Sequence, residues 1–279
     1  MDFCHKPGVP SAERSRVFEA FVPRAYVERN FPREMDEVNR FILGRQVDFF
    51  AGMRERRGPR VLEVGVGPAI PYLTTPVGAG ARIVCADVCR ANLRFLEDFR
   101  DGVLPAWARY RFEPYVAFVV EREGQTLTER SVRQRLDETR SAIEAIRWVD
   151  VFDRRSMWLD QSWEECFDTV ISNFCVESAT GEDEEFQQGL DNLCWAVKLQ
   201  GTLVMSAMTE ATEYQVGDAV FPACPITLTG LRESVEARGF TVTDTDELRL
   251  EDAEGLAGVM WMAASRGHRG SSACRIGLG

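Results

Sequence analysis

The sequence predicts an α/β fold built on a doubly wound, mostly parallel sheet with helices on both faces. Three observations carry this. Strand-like and helix-like segments alternate along most of the 279 residues. A glycine-bearing turn joins the first strand to the first helix of that alternation. Acidic residues then fall at the ends of successive strands, where open α/β sheets bind ligands.

The elements follow in order. Phe18–Phe31 is aromatic-rich and ends at Pro32. Val38–Met53 places Phe41, Ile42, Val47 and Phe50 on or near one helical face. Gly58-Pro59 leads into a strand, Arg60–Gly65, and a short helix follows at about Ala69–Thr75. Arg82–Asp87 reads as the second strand and Arg90–Arg100 as a helix. Residues 105–147 interrupt the alternation. Within them Tyr115–Val120 reads as a strand, and Thr128–Ile146 as an exposed amphipathic helix. Strands are then expected at Arg147–Val151, Phe167–Ser172 and Gly201–Ser206, with a helix at Glu184–Val197. Thr227–Arg238 is a helix that stops at Gly239. Phe240–Leu248 and Gly258–Ser265 close the sheet as an antiparallel pair at its edge. Residues 1–15 are expected to form a flexible leader and 267–279 a disordered Gly/Ser/Arg-rich tail. A single domain, 16–266, lies between them, with 16–57 as its N-terminal part and 105–147 as an insertion.

Composition narrows the function. The net charge is −11, with acids and bases interleaved and no basic stripe, which argues against nucleic acid as a partner. No apolar run approaches the ~20 residues of a membrane span, and Met1–Arg16 lacks the apolar core of a signal peptide. A cytoplasmic protein, monomeric or weakly dimeric, acting on a small molecule is expected. The eight cysteines form no CxxC pair, and most sit in apolar segments, so reduced core thiols are expected rather than a metal site. The only histidines, His5 and His268, lie near the ends, which leaves acid–base work to carboxylates. Nearly all basic residues are arginine, a bias expected from a GC-rich genome.

The central motif is Glu63-Val-Gly65-Val66-Gly67-Pro68. Glycine at 65 and 67 lets the backbone turn sharply and come close to a ligand. A dinucleotide loop would carry a third glycine and present amides to a pyrophosphate. Here Pro68 gives up an amide and Glu63 adds an acid, which suits an ammonium and not a phosphate. The amino-acid half of S-adenosylmethionine meets that description. Asp87, 24 residues after Glu63, ends the second strand, where an acid accepts both hydroxyls of a ribose. Val88 and Asn92 follow it. Asp150 can accept from an adenine amine, and Val151 can donate its amide to the ring. Singly, these are common turns and helix caps; in this order they favour an adenosine cofactor, and S-adenosylmethionine over NAD.

These residues resemble the nicotinamide, phenylethanolamine and thioether/indolethylamine N-methyltransferases from about Phe18 to Ser265. The most specific parts are Phe21-Val-Pro-Arg-Ala-Tyr26 with Asn30-Phe31, and Phe174-Cys-Val-Glu-Ser178. Gly65-Val-Gly67-Pro68, Asp87 with Asn92-Leu93, Asp150-Val151 and the segment with Trp107 agree. The resemblance implies a Rossmann-like class I methyltransferase with a seven-stranded sheet. It implies an N-terminal helical lid over S-adenosylmethionine, whose product is S-adenosylhomocysteine. Tyr26 matches a tyrosine at the cofactor's carboxylate end. Phe18 and Phe31 replace further tyrosines, so packing takes over from hydroxyl contacts. Tyr72 stands beside the position of another cofactor tyrosine, and Asn173 borders the same site.

Methyl transfer from a sulfonium is an in-line displacement governed by alignment. Carboxylates beside an amine nucleophile can hold it, balance its developing charge and take its proton. Glu177 matches the substrate-side acid of the phenylethanolamine enzyme. Glu210 aligns near the second acid, with Glu213 competing. Among Glu251, Asp252 and Glu254, Asp252 is the expected third. Phe174, Tyr214, Phe221 and Trp261 are candidate apolar walls. Ser206 stands where the nicotinamide enzyme carries an aspartate, which argues against nicotinamide. N-methylation of a small amine, amino acid or guanidine is expected, in natural-product biosynthesis. O- or S-methylation and a non-catalytic S-adenosylmethionine-binding protein stay open as alternatives.

Overall fold

The computed structural model describes residues 18–53, 58–158, 163–250 and 258–267. The expected leader, the tail beyond Gly267, and Glu251, Asp252 and Glu254 lie outside these residues.

Phe18–Ala20 forms a 3-10 turn before two helices, α1 (Pro23–Asn30) and α2 (Glu37–Ala51). Pro23 suits the first turn of α1, where no backbone donor is needed. The Asp36 carboxylate caps α2 by accepting from the Asn39 amide at 2.7 Å. Strand β1 (Arg60–Val64), the single-turn α3 (Ile70–Leu73), a 3-10 turn at Pro76–Ala79, β2 (Arg82–Asp87) and α4 (Arg90–Arg100) come next. Helices α5 (Ala106–Arg122) and α6 (Glu129–Ala142) precede β3 (Ile143–Trp148). Then come β4 (Phe167–Asn173), α7 (Asp183–Ala196), β5 (Val197–Thr209), a hairpin of β6 (Glu213–Val216) and β7 (Ala219–Pro222), α8 (Leu228–Glu236), β8 (Phe240–Arg249) and β9 (Gly258–Arg266). No helix among the described residues is long and apolar enough to cross a membrane.

Seven strands form one sheet in the order β3-β2-β1-β4-β5-β9-β8. The pairs from β3 to β5 are parallel, and β9 is antiparallel to both β5 and β8. The fold class is the expected one, with a refinement: the last strand does not sit at the edge but is inserted beside β5. Burial follows position. β1, β4 and β9 are buried almost throughout, as strands covered on both faces must be; β9 reads as an apolar run from Gly258 to Ala264, while β1 buries Glu63 and β4 buries Thr169, Ser172 and Asn173 among apolar residues. The edge strand β8 exposes most of its residues.

Three expectations need correction. Tyr115–Val120 is not a strand; it belongs to α5. The buried residues Phe112, Tyr115, Val116, Val119 and Val120 recur at helical spacing, and that period overrides the β propensity of a Tyr/Val/Phe run. The helix expected over Thr128–Ile146 stops at Ala142. Its start is set by a Thr128/Ser131 capping box, and one face buries Arg135 in an ion pair with Glu123. The third strand begins at Ile143, where the apolar residues pair with β2, and ends at Trp148. Asp150 and Val151 therefore lie in the turn beyond it.

The N-terminal segment is pinned to α5. Pro114 lacks the amide that would bond the Tyr110 carbonyl one turn back. The Arg33 guanidinium fills that vacancy, donating to Tyr110 O at 2.6 Å. The Tyr115 hydroxyl donates to Pro32 O at 2.6 Å, and Arg24 lies over the Trp107 ring.

Candidate active site

A cavity of about 620 Å³ opens at the carboxyl ends of β1, β2, β3 and β4, roofed by α1 and the β6–β7 hairpin. Fourteen expected site residues border it: Phe18, Tyr26, Phe31, Gly65, Gly67, Tyr72, Asp87, Val88, Asn92, Asp150, Val151, Asn173, Phe174 and Tyr214. Val66 and Glu63 do not: Val66 is buried with its amide on Ala86 O at 3.2 Å, and Glu63 is buried behind the wall.

The turn after β1 is shaped by two glycines with positive φ, +70° at Gly65 and +56° at Gly67. A β-carbon on Gly65 would overlap the Cys175 thiol, so this residue must be glycine for the β4 loop to pack beside it. A β-carbon on Gly67 meets nothing within 4 Å, which leaves its face open to the cavity. The Gly67 amide donates to Asp87 Oδ2 at 2.8 Å, and the Cys89 amide to Oδ1 at 2.7 Å. Asn92 Nδ2 adds a contact to Oδ2 at 3.3 Å. Burial pushes the Asp87 carboxyl up to about 6, and these donors pull against it. Asp87 is thus ionised at neutral pH and rigidly aimed. Asp150 is held likewise: its Oδ1 accepts from the Phe152 amide at 3.0 Å.

Glu63 sits just below the turn, 1% exposed, with Oε1 accepting from Asn173 Nδ2 at 3.1 Å and Oε2 unpartnered. Burial raises its carboxyl to about 8, and the Asn173 donor opposes the rise. Tyr72 donates its hydroxyl to Asn39 Oδ1 at 2.8 Å, which commits that hydroxyl to the lid.

The side of the cavity next to the β6–β7 hairpin and the loop after β4 is rich in aromatic rings, with acids beside it. Phe221 stacks on Phe18, with centroids 5.4 Å apart and planes 9° apart, and on Tyr214 at 5.2 Å and 22°. Phe21 packs against Tyr26 and Phe221. Phe31 is 1% exposed among Tyr72, Phe112 and Tyr115 and holds its part of the lid by packing. Neither Phe221, buried behind these rings, nor Trp261, fully buried in the core, is a cavity wall.

Glu177 opens a 3-10 turn after β4 and is fully buried behind the wall, not on it. Its Oε1 accepts from the Met208 amide at 3.3 Å and the Ser178 hydroxyl at 3.4 Å, while Oε2 is unpartnered. Burial lifts its carboxyl to about 7. Ser178 and Met208 do border the cavity. Glu210 is exposed and away from the wall. The backbone turns at its φ of +56° and pins its amide to Ile226 O, which sends the side chain outward. Glu213, three residues on, borders the cavity instead.

Several bordering residues escaped the sequence: Asn30, Asp36 and Asn39 of the lid, and Met208, Gln215 and Val259. The hairpin carrying Gln215 was missed altogether, although Gly217-Asp218 between two short apolar runs is a turn signal. The described residues hold no cluster of His, Cys, Asp and Glu suited to a metal.

The residues fit S-adenosylmethionine on the structure's own terms. Acids stand at the ends of β1 and β2 and just past β3. Gly67 leaves its face open, and the buried Oε2 of Glu63 lacks a partner. The model of the NNMT/PNMT/TEMT family matches residues 10–265. Phenylethanolamine N-methyltransferase of Macaca mulatta is 23% identical over 233 residues, 82% of this chain and 80% of that protein. Nicotinamide N-methyltransferase of Homo sapiens is 24% identical over 186 residues, 67% of each. Among solved structures, magnesium protoporphyrin IX methyltransferase from Synechocystis PCC 6803 with bound SAM aligns with a TM-score of 0.54 at 13% identity. That alignment spans 94% of this chain and 100% of that one, and it speaks to the fold.

Proposed function

The chain belongs to the NNMT/PNMT/TEMT family of S-adenosylmethionine-dependent methyltransferases, and we propose that it methylates the nitrogen of a small-molecule amine. The observation that carries this is the placement of two kinds of acid around one cavity. Asp87 and Asp150 are fixed by backbone amides at the strand ends, while Glu177 lies behind Ser178 with an unpartnered oxygen and Glu213 borders the cavity.

Asp87 would hold the ribose hydroxyls of the cofactor, Asp150 and Val151 its adenine, and Glu63 with the Gly65–Gly67 turn its amino-acid end. When bound, S-adenosylmethionine supplies an already activated methyl group. The chain's own residues then orient and desolvate the acceptor. Phe18, Tyr26, Phe174 and Tyr214 exclude water from the chamber. Glu213 attracts a cationic amine. Glu177, near 7, can accept the proton that the amine must lose, by way of the Ser178 hydroxyl 3.4 Å from Oε1.

In this reading residues 16–266 act as one catalytic unit in the cytoplasm, as a monomer or weak dimer, without nucleic acid. The acidic balance of −11 supports an amine or guanidine acceptor, and the product serves small-molecule biosynthesis.

Mass spectrometry tests this. Purified protein with S-adenosylmethionine is offered aryl-ethylamines, amino acids, guanidines, pyridines, thiols and phenols. Gain of one or more methyl groups on amines or guanidines is expected. Gain on thiols or phenols alone would overturn N-methylation. Tight cofactor binding without any turnover would favour a non-catalytic role.

A further inference from the structure

Below the Gly65–Gly67 turn runs a chain of four buried side chains from four separate segments. The Thr75 hydroxyl donates to Gln46 Oε1 at 2.9 Å, Gln46 Nε2 to Asn173 Oδ1 at 2.9 Å, and Asn173 Nδ2 to Glu63 Oε1 at 3.1 Å. Thr75 and Gln46 are 0% exposed. Of the four, only Asn173 borders the cavity. Gln46 comes from α2, in the same N-terminal segment as Asn39, so the chain ties that segment to the end of β1.

We propose that Gln46 is a positioning residue that holds the Asn173 amide with its N–H toward Glu63, and so favours the ionised carboxylate when the cationic amino-acid end of the methyl donor arrives beside it. The inference rests on the reading of this cavity as the S-adenosylmethionine site.

The argument is one of hydrogen-bond direction. Each amide has one donor end and one acceptor end in this chain. Only two polarities therefore satisfy every link. In the one described, donors point from Thr75 toward Glu63, and Glu63 must be an acceptor. In the reverse, Glu63 must carry a proton and donate it to Asn173. Thr75 then accepts from Gln46 and turns its own hydrogen to Tyr72 O, which lies 2.9 Å away. The first polarity serves Glu63 whether or not it is protonated, because a carboxylic acid still accepts at its carbonyl oxygen, whereas the reverse polarity serves only the protonated form. A buried polar chain that is half satisfied costs more than either complete state, so intermediate arrangements are suppressed. A cation beside the unpartnered Oε2 selects the first polarity.

The groups facing Glu63 do not compete for that role. Cys85 opposes it on β2, Tyr72 faces it from α3 and Tyr26 from the lid. Burial raises all three above their ordinary values, so each is neutral near pH 7. The Asn173 N–H is the group that offsets the desolvation of Glu63. With its carboxyl at about 8, Glu63 is already mostly protonated at neutral pH until a cation stands beside it; losing the Asn173 orientation moves the carboxyl further up and makes that proton harder to displace.

The test uses Gln46→Met, Glu63→Gln, the double variant, and Thr75→Val as a milder break that keeps both amides. Glu63 is titrated by carbon NMR of glutamate-labelled protein without cofactor, and S-adenosylhomocysteine binding is measured by calorimetry from pH 6.5 to 9. Gln46→Met is expected to raise the Glu63 midpoint by about one unit and to weaken binding roughly tenfold at pH 7. Thr75→Val should shift both in the same direction by less. In the Glu63→Gln background Gln46→Met should cost nothing further in affinity. An unmoved midpoint, or an equal loss of affinity with and without Glu63→Gln, would overturn the inference and leave Gln46 a packing residue. If the wild-type protein binds no S-adenosylhomocysteine while the midpoint still moves, the donor reading fails. The ligand half of the inference fails with it, and only the control of Glu63 by Gln46 survives.

Discussion

The two ends of the cavity bury their acids equally well and hold them differently. At the donor end, Asp87 accepts from two backbone amides at 2.7 and 2.8 Å and from Asn92, and its carboxyl rises only to about 6. At the acceptor end, Glu177 has contacts of 3.3 and 3.4 Å and a bare oxygen, and it rises to about 7. Burial dominates both, and hydrogen bonds separate them. In the proposed reading, the donor end is preorganised for the cofactor. In the same reading, the acceptor end, roofed by stacked rings on the N-terminal segment and a hairpin, keeps an acid poised to change its proton.

The contrast breaks most deeply at Asp87. Asp87→Ala strands the Gly67 and Cys89 amides, each unsatisfied group costing about 1–3 kcal/mol. S-adenosylhomocysteine affinity is expected to fall by roughly 100-fold or more in calorimetry. Glu177→Gln should leave that affinity intact and lower kcat/KM for the amine by roughly 100-fold. It should also change the pH profile. The folded carboxyl lies above its ordinary range and acts as a base, so wild-type activity rises as pH passes through about 7. The variant should lack that rise; an identical profile would remove Glu177 from the proton path. Gly65→Ala forces a β-carbon onto Cys175 at a positive φ. About 1–3 kcal/mol is expected, seen as weaker cofactor binding, with Cys175→Gly restoring part of it. Phe221→Ala removes two ring stacks worth about 0.5–1.5 kcal/mol each, and should raise KM for the amine several-fold while sparing the cofactor. Glu210→Gln should change neither, because its side chain is exposed; a loss of rate there would bring Glu210 back into the site.

The same contrast explains what the sequence made legible. The Gly65–Gly67 turn and the place of Asp87 depend on neighbours within a few residues and on strand ends, so local pattern locates them. Helix α5 was misread because a Tyr/Val/Phe run suits either structure until its partners are known. The boundary of β3 was misplaced because Ile143 and Ile146 fit both a helical face and a strand that pairs with β2. At the acceptor end, the position of Glu177 could be read but not its direction. That direction is set by Met208, and the Glu177 carbonyl is held by the Cys224 amide at 2.7 Å, far along the chain. The outward turn at Glu210 depends on Ile226 in the same way.

The insertion of β9 beside β5 also bears on how the protein comes to exist. On a ribosome, β5 emerges with one edge bare, and β8 has no neighbour to pair with until Gly258–Arg266 is made. That late strand also carries Val259, part of the cavity wall. Nascent chains stalled before residue 258 should therefore expose strand edges to chaperones and hold no cofactor, so ligand capture waits for the strand that completes the sheet.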